Sequence, residues 1–395
     1  MSANIKNMDE QIQVDASLLS AQLHSFREQL FVPSEKKQLR SFSSAEVAKI
    51  IGVTETYVRK IVNSNSDINV SRSTTGRISF SMDQINYLRG FLGKGKTQPD
   101  IQRQGFEHLQ VISVCNFKGG SGKTTSAIHL AQYCAMHGYR VLAIDLDPQA
   151  SMTALFGLQP EFDVKENRTL YGAIRYDEMR VSLAEVIHKT YFPNLDLIPA
   201  NLELHEFEHE TPLILATKNR EGNLFFKRIM DALTTVNENY DIVVIDCPPQ
   251  LGFLTMTALF ASTGMLITVH PQMLDIASMS QFLTMTAQLM NVVRKAGGSL
   301  NYDWIKYLIT RHEPYDGPQA QVVGFLRSMF GDRVLTAMML KSTAITDAGL
   351  SNMTIYEMAR DSMNRQTYER ALEAMDSVNA EITSLLEKSW GRASK

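Results

Sequence analysis

A glycine-rich run in the first third of the chain constrains its fold more than any other feature. Residues 118–125 read KGGSGKTT, follow the apolar residues 111–114, and precede a segment of helical character that ends near Gly138. This order predicts a strand, a tight turn and a helix. Glycines allow consecutive backbone N–H groups and the helix N-terminus to face one anion, so the turn is predicted to bind phosphate. Lys123 would reach the outer phosphates, and the Thr124 hydroxyl would ligate Mg²⁺.

Two more segments are apolar runs that end in carboxylates. Residues 140–149 bring Asp145 and Asp147 to the end of one run, and residues 241–249 bring Asp246 to the end of another. Continuous apolar runs are typical of parallel strands covered on both faces, and such sheets bind ligands at the carboxyl ends of their strands. We therefore predict an α/β fold, with a mainly parallel sheet sandwiched by helices. Asp246 is predicted to hold Mg²⁺ through water.

Composition and cysteine spacing argue against a membrane-spanning protein and against a cysteine-ligated metal site. Hydrophobic residues make up 44% and charged residues 21% of the 395 residues, as in ordinary globular chains. No stretch approaches the roughly 18–20 uninterrupted apolar residues that span a membrane. The cysteines lie in apolar segments without metal-ligand spacing, which predicts small buried residues in a reducing cytoplasm. They are Cys115, Cys134 and Cys247.

Charge is distributed unevenly along the chain. The net charge is −3, but residues 35–96 contain 11 Lys and Arg against 5 Asp and Glu, a balance of +6 that leaves −9 for the rest. A basic module joined to an acidic body indicates a dedicated DNA-contacting region. Residues 93–103 are polar and include Gly and Pro, so they are predicted to be a linker that separates this module from the body.

The basic module carries the sequence signature of two short helices joined by a tight turn. Ser43 and Glu46 predict a capping box for the first helix. Gly52 allows the turn, and Thr54 caps a second helix. Residues 71–80 then predict a hairpin, before a helix resumes. This order resembles the winged helix-turn-helix of the MerR family. The side chains expected to contact DNA are Thr56, Tyr57, Arg59 and Lys60 on the second helix, and Arg72 and Arg77 in the hairpin.

Lys118 stands at the front of the glycine-rich run, and this extra lysine marks the deviant P-loop of the partition, septum-site and nitrogenase-iron-protein ATPases. From about residue 15 to about residue 385, the chain resembles the RepA family of repABC-type plasmids and secondary replicons, large partition ATPases of the ParA superfamily. The resemblance implies a winged helix-turn-helix domain over residues 35–92 and a deviant P-loop ATPase domain over residues 104–395. The matching segments are residues 42–48, 118–125, 144–151, 246–252, 269–275 and 341–345.

The resemblance implies slow ATP hydrolysis that a partner stimulates, with ATP or ADP and Mg²⁺ as ligands. Lys118, Lys123 and Asp147 would be the catalytic residues. Lys118 would cross a face-to-face dimer to the phosphates of the other subunit, and Asp147 would orient the attacking water. Asp145 would support the metal shell. The expected nucleotide contacts are Lys118, Gly119, Gly120, Ser121, Gly122, Lys123, Thr124, Thr125, Asp145 and Asp246, with Thr124 and Asp246 as metal ligands.

The same resemblance implies a bacterial, cytoplasmic protein that associates with the nucleoid. Its ATP-dependent dimer would bind non-specific DNA, respond to a centromere-binding partner of the RepB or ParB type, and repress its own operon. Whether dimers assemble further on DNA stays open. The contacts to nucleoid DNA are expected from basic residues late in the chain, Arg311, Arg327, Arg333 and Lys341.

An amphipathic helix is predicted within residues 1–34, and Pro33 would end it. Its apolar face could pack on its own domain or form a dimer, and the resemblance to longer partition ATPases favours dimerisation. The apolar residues are Ile12, Leu18, Leu19, Leu23, Phe26 and Leu30.

Two alternative functions are weighed against partition. A septum-site ATPase acts at a membrane surface and should end in a basic amphipathic helix, and residues 382–391 are too short and too weakly basic for one. A transcriptional repressor would use ATP only as a ligand. The intact Lys123, Asp147 and Asp246 favour hydrolysis, although repression can coexist with it.

Overall fold

The structure is a computed structural model that describes residues 8–30, 37–65, 68, 70–72, 76–94, 101–217, 224–295, 297–298 and 300–392. Several predicted features lie outside the described part: Pro33 at the end of the first helix, the hairpin tip at residues 73–75, and residues 95–100 of the linker. The side chains of residues 23–30 lie outside it as well.

The first helix, α1 (Met8–Leu30), covers the predicted amphipathic segment. Ile12, Leu18 and Leu19 are 61%, 62% and 63% exposed. These three side chains are therefore largely exposed in the single chain, and dimerisation through this helix stays a prediction.

The elements of the basic module follow in the predicted order. Its strands form a three-stranded sheet of order β1-β3-β2, with antiparallel pairs. The elements are β1 (Phe42–Ser43), α2 (Ser44–Ile51), α3 (Glu55–Ser64), β2 (Ser71–Arg72), β3 (Ile78–Phe80) and α4 (Met82–Lys94).

Local chemistry explains the two helices of the module. Ser43 caps α2 by accepting from the Glu46 N–H, and the Glu46 carboxylate accepts from the Ser43 N–H at 2.8 Å. Gly52 then adopts φ 76°, a left-handed conformation that favours glycine and ends the helix. The Thr54 hydroxyl accepts from the Tyr57 N–H and starts α3. These caps confirm the predicted turn between the helices.

The body of the protein contains a seven-stranded sheet of order β10-β9-β4-β8-β5-β7-β6. All neighbouring strands are parallel except β6 and β7, which pair antiparallel at one edge. The strands are β4 (Gln110–Cys115), β5 (Val141–Asp145), β6 (His188–Lys189), β7 (Leu195–Ile198), β8 (Ile242–Asp246), β9 (Gly264–Val269) and β10 (Trp304–Ile309).

Helices cover this sheet on both faces, which confirms the predicted α/β architecture. They are α5 (Lys123–Met136), α6 (Ser151–Leu155), α7 (Leu170–Ile174), α8 (His205–Ala216), α9 (Arg228–Thr234), α10 (Phe253–Ala261), α11 (Met273–Lys295), α12 (Gly317–Phe330), α13 (Thr343–Leu350) and α14 (Arg365–Ser389).

Successive residues of the central strands enter two different hydrophobic cores. On β5, Val141 and Ala143 join the core beneath α5 and α14, whereas Leu142 and Ile144 join the core beneath α9, α10 and α12. Because side chains alternate across a strand, a strand with a core on each side must be apolar throughout. This explains the continuous apolar runs in the sequence. Cys115, Cys134 and Cys247 are free and buried, as predicted.

The basic module packs directly on the body, so the segment predicted as a linker joins two parts that are in contact, and the linker itself stays a prediction. Buried residues of the module, including Phe42 and Ile85, share one hydrophobic core with α5 and α14. Lys37 forms a buried ion pair with Glu357 at 2.8 Å, with side chains 5% and 2% exposed. Arg89 donates to the Met136 carbonyl, the last residue of α5, at 2.6 Å. The domain boundaries themselves stay predictions.

Among the described residues, no helix has both the length and the apolar character needed to cross a bilayer.

Candidate nucleotide-binding site

The glycine-rich run forms a loop between β4 and the N-terminus of α5, as the sequence predicted. Gly120 and Gly122 adopt φ values of 73° and 85°, which side chains rarely tolerate. A Cβ atom on Gly122 would also lie 3.4 Å from the Thr310 Cβ. The 3.4 Å distance is ordinary van der Waals contact, so the loop favours glycine at these positions because of backbone conformation.

Neighbouring side chains hold the loop in one shape. The Thr310 hydroxyl donates to the Ser121 carbonyl at 2.7 Å, and Arg311 Nη1 donates to the Gly120 carbonyl at 3.1 Å. The Ser121 hydroxyl lies 3.0 Å from the hydroxyl of Thr268. Because β9 and β10 end beside the loop, their terminal residues reach these groups. Sequence reasoning missed Thr268 and Thr310, since single threonines at strand ends carry no motif.

The two lysines of the loop have different environments. Lys123 is 7% exposed, and its Nζ donates to the Lys118 carbonyl at 3.2 Å. The Lys118 ammonium instead forms an ion pair with Asp275 at the start of α11. Asp275 is 4% exposed, and its second oxygen lies 3.1 Å from His270 Nδ1. Lys123 therefore points along its own loop, whereas Lys118 is held outside it by a carboxylate that the sequence did not suggest.

Asp246 is a buried carboxylate next to the loop. It ends β8 and pairs in register with Asp145 of β5, so the two carboxylates are side by side. Among the described residues, no donor makes a well-formed hydrogen bond to either oxygen of Asp246, although the nearby Thr124 hydroxyl interacts with it. Burial, and then the charge of Asp145, raise the pKa of Asp246 well above its usual value, while the Thr124 hydroxyl and the Lys123 ammonium oppose this shift. A buried carboxylate without well-formed hydrogen bonds is costly, and a bound cation would compensate it.

Both carboxylate oxygens of Asp145 accept hydrogen bonds from the chain. One oxygen accepts from the Thr153 N–H and hydroxyl at 2.8 and 2.7 Å, and the other accepts from the Asp147 N–H at 3.2 Å. Burial nevertheless raises the pKa of Asp145 to about 7. Since both oxygens are engaged by the chain, Asp145 anchors α6 and the backbone of Asp147, and its expected part in the metal shell stays a prediction.

Asp147 lies in the loop between β5 and α6, partly exposed at the same edge of the sheet. Its carboxylate accepts from the Gln149 N–H at 3.0 Å. The N–H of the preceding Leu146 donates to the Asp246 carbonyl at 3.0 Å, which brings this loop beside Asp246. The structure thus gathers Lys123, Thr124 and Asp147 around Asp246.

The donor set fits Mg²⁺. Within the described residues, no group of three or more His, Cys, Asp or Glu side chains could form an all-protein metal cage. Mg²⁺ usually takes one or two protein oxygens and completes its shell with water and substrate phosphates. Asp246 and Thr124 supply such oxygens beside a loop suited to phosphate.

Comparisons with known proteins agree with this site. A family model described as an AAA domain matches residues 109–296. A protein assigned as replication protein A in Rhizobium rhizogenes is 54% identical over 95% of this chain and 94% of its own length. The chain belongs to the RepA family of ParA-superfamily partition ATPases.

Two solved structures are also similar to this RepA-family chain. A protein titled a partition protein covers 96% of this chain and 99% of its own with a TM-score of 0.65, and at 15% identity it shows the fold alone. A plasmid partition protein from Borrelia burgdorferi bound to AMPPNP is 26% identical, with a TM-score of 0.50, and covers 68% of this chain and 98% of its own.

The predicted DNA-contacting side chains of the RepA-family module lie on its outer surface. Val58, Ile61 and Val62 face the core of the module, and the opposite side of α3 is exposed. Arg59 pairs with Glu55 at 2.6 Å, and Arg72 donates to Asn63 at 3.0 Å. The exposed residues from the prediction are Thr56, Tyr57, Arg59, Lys60, Arg72 and Arg77.

The four late basic residues are all exposed but fall into two groups. Arg311 contacts the P-loop, and Lys341 pairs with Glu313 at 2.9 Å, close to the same edge. Arg327 donates to the Thr336 carbonyl at 3.0 Å, and the Arg333 guanidinium lies 5.2 Å from the Phe330 ring centre. Their alignment on one face of a dimer stays a prediction.

Proposed function

We propose that this partition ATPase is an ATP-driven switch that segregates its replicon. It binds ATP with Mg²⁺, dimerises and binds nucleoid DNA in the ATP state. It releases the DNA when a centromere-binding partner of the RepB or ParB type stimulates hydrolysis. The observation that carries the proposal is the buried carboxylate of Asp246 beside Lys123 and Thr124. The related Borrelia protein was solved with AMPPNP, which supports a nucleotide at this site.

Phosphoryl transfer needs positioning and charge stabilisation more than covalent chemistry. Mg²⁺, when bound, would neutralise charge on the phosphate oxygens. Asp246 and Thr124 are the side chains that would hold it. Residues 119–125 and the N-terminus of α5 would cradle the phosphates, with Lys123 as their cation. Asp147, partly exposed next to Asp246, would orient the attacking water.

Lys118 would act in the dimer. In the single chain its ammonium is held by Asp275. Crossing to the phosphates of a second subunit would exchange this carboxylate for phosphate oxygens, as an arginine finger supplied in trans does. Hydrolysis would then depend on dimerisation, and a single subunit would turn over ATP slowly. The exposed apolar residues of α1, such as Leu18 and Leu19, would support the dimer.

The basic module would read the operator and repress the operon, as a winged helix-turn-helix does. Its exposed α3 would enter the major groove, and Arg77 would contact phosphates beside it. These roles would confine the protein to the bacterial cytoplasm, on the nucleoid. Binding of random DNA and of DNA upstream of the operon, each measured with ATP and with ADP, tests the proposal. ATP-dependent retention on random DNA supports partition, whereas binding to upstream DNA alone without hydrolysis supports a repressor that uses ATP only as a ligand.

The triple variant Arg59→Ala, Lys60→Ala and Arg77→Ala is expected to weaken operator binding. Each phosphate contact removed should lower the slope of log K against log salt by about 1, because each contact releases counterions. Binding at several salt concentrations measures this slope. Lys49→Ala is the matched control, because Lys49 lies in the same module but pairs with Asp376 of the body. An unchanged operator footprint for the triple variant would rule out α3 and the hairpin as the reader.

The triple variant Arg327→Ala, Arg333→Ala and Lys341→Ala is expected to weaken binding to random DNA in the ATP state. If all three contact phosphates, the salt slope should fall by about 3. Arg311 is left intact because it also donates to the P-loop. Arg180→Ala, an exposed arginine distant in sequence from these residues, is the control. Basal ATP hydrolysis is expected to be unchanged. If binding to random DNA is also unchanged, the basic module and not these three residues would hold non-specific DNA.

A further inference from the structure

The N-terminus of α10 is capped by a carboxylate from another helix. α10 starts at Phe253, seven residues after Asp246, and its first N–H groups have no intrahelical acceptor. Glu208 of α8 accepts from the Phe253 N–H through Oε2 and from the Leu254 N–H through Oε1, both at 2.9 Å. One side chain therefore satisfies two terminal donors and places negative charge at the positive end of the helix dipole.

The backbone at this point is shaped to admit the carboxylate. Gly252 is the N-cap of α10 and offers no side chain to cap the helix itself. A Cβ atom built on Gly252 would lie 2.6 Å from the Glu208 Cδ, closer than real Cβ atoms come to their neighbours. The φ of Gly252 is −97°, which any residue adopts, so glycine is needed here for the approach of Glu208 and not for backbone conformation.

α8 is itself held firmly. Phe207 and Thr211 are fully buried on either side of Glu208, and the Phe207 ring stacks on Tyr176 with centroids 5.6 Å apart. The Thr211 hydroxyl donates to the Phe207 carbonyl at 2.6 Å. The Glu208 carboxylate therefore extends from a helix that is packed in the core. Its hydrogen bonds to α10 define where that helix begins.

The segment between Asp246 and α10 is fixed at both ends. At its start, the Cys247 N–H donates to the Val114 carbonyl of β4 at 3.1 Å. At its end, Glu208 holds the first turn of α10, and the Thr255 hydroxyl donates back to the Gln250 carbonyl at 2.6 Å. A displacement of residues 250–252 that carries the first turn of α10 with it would therefore stretch or break the contacts to Glu208. The segment directly follows the carboxylate assigned above to Mg²⁺.

We propose that Glu208 is a positioning residue for ATP hydrolysis: by capping α10 it sets the location of residues 247–252 beside the phosphate site. The inference rests on the proposed function, because it assigns a further residue to the same reaction. Glu208 is not among the residues proposed to hold nucleotide or Mg²⁺, and it would act through the first turn of α10. Its effect should appear in the rate of hydrolysis and not in nucleotide affinity, since a displacement of about 1 Å in a catalytic site can cost about 100-fold in rate.

Glu208→Ala in the full-length chain is expected to lower kcat at least about tenfold and to change ATP affinity less than about twofold. Glu208→Gln keeps one oxygen acceptor and should recover part of the rate. Hydrogen exchange at the Phe253 and Leu254 amides should accelerate in Glu208→Ala, while exchange in β4 and β8 stays unchanged. Glu206→Ala is the matched control, because Glu206 is an exposed glutamate two residues earlier on α8.

A second pair of variants tests the contact without relying on hydrolysis. Gly252→Ala in the native chain should lower the melting temperature, because the new methyl group overlaps Glu208. The same substitution in the Glu208→Ala chain should lower it much less. The inference would be overturned if Gly252→Ala lowered the melting temperature equally in the native and Glu208→Ala chains. A native kcat in Glu208→Ala would overturn it as well. If the native chain hydrolyses no ATP, the proposed function fails instead, and the amide-exchange and melting results still decide whether Glu208 holds this segment.

Discussion

Lys118→Ala is expected to bind ATP nearly as well as the native chain and to lose most of its hydrolysis. The reason is that the Lys118 ammonium pairs with Asp275 outside its own P-loop and would meet phosphate only in a dimer. Fingers supplied in trans contribute about 10³-fold or more to the rate of phosphoryl transfer, so a loss of at least about 10³-fold in partner-stimulated turnover is predicted. Equilibrium nucleotide binding and phosphate release, measured on the same preparation, separate the two effects.

Lys123→Ala should behave differently. Lys123 is buried in its own loop, with Nζ 3.2 Å from the Lys118 carbonyl, so its removal takes away the cation proposed to contact the phosphates of the same subunit. Nucleotide affinity itself should fall. Lys165→Ala, an exposed lysine after α6, serves as the control for loss of charge. Normal ATP turnover by Lys118→Ala would rule out the proposed contact between Lys118 and the phosphates of the second subunit.

Lys37→Met is expected to destabilise the protein by about 3–5 kcal/mol, because it leaves Glu357 buried without its cation. Glu357 also accepts from the Tyr191 hydroxyl at 2.5 Å and from the Thr354 N–H at 2.8 Å, but these neutral donors do not cancel its charge. Burial lowers the pKa of Lys37, whereas Glu357 raises it, so the pair depends on both partners. The free energy of unfolding from urea titration measures the loss.

The matched control for Lys37 is a second ion pair between module and body. Lys49 contacts Asp376 at 2.7 Å, but its side chain is 69% exposed. Exposed pairs contribute at most about 1 kcal/mol, so Lys49→Met should have little effect. The double variant Lys37→Met and Glu357→Gln removes both buried charges and should regain part of the stability. Equal stabilities for the Lys37 and Lys49 variants would show that the buried pair does not hold the module on the body.

Features that depend on neighbouring residues could be predicted from the sequence. The capping box of Ser43 and Glu46 and the left-handed turn at Gly52 each involve only a few consecutive residues, and the structure confirms them. The P-loop between β4 and α5 was predictable for the same reason. Apolar runs ending in Asp145 and Asp246 indicated parallel strands, because a strand covered on both faces is apolar at every position.

Contacts between distant residues were decided only by the tertiary structure. Lys118 meets Asp275 across 157 positions, and Thr310 reaches the P-loop across 189, with no local pattern to indicate either contact. Likewise, only the fold shows that the oxygens of Asp145 accept hydrogen bonds from Thr153 and from the Asp147 N–H.

The contact between the basic module and the body is another feature that sequence could not predict and that the tertiary structure decided. A polar segment rich in Gly and Pro predicts flexibility from its own composition, whereas docking depends on the surfaces on either side of it. Here the apolar core shared by Phe42 and α5, together with the buried pair of Lys37 and Glu357, joins the two parts. Sequence by itself determined the local elements and indicated the residues proposed to bind phosphate and Mg²⁺. Tertiary structure alone decided which charges meet, because pairing of buried charges depends on the packing of segments far apart in the chain.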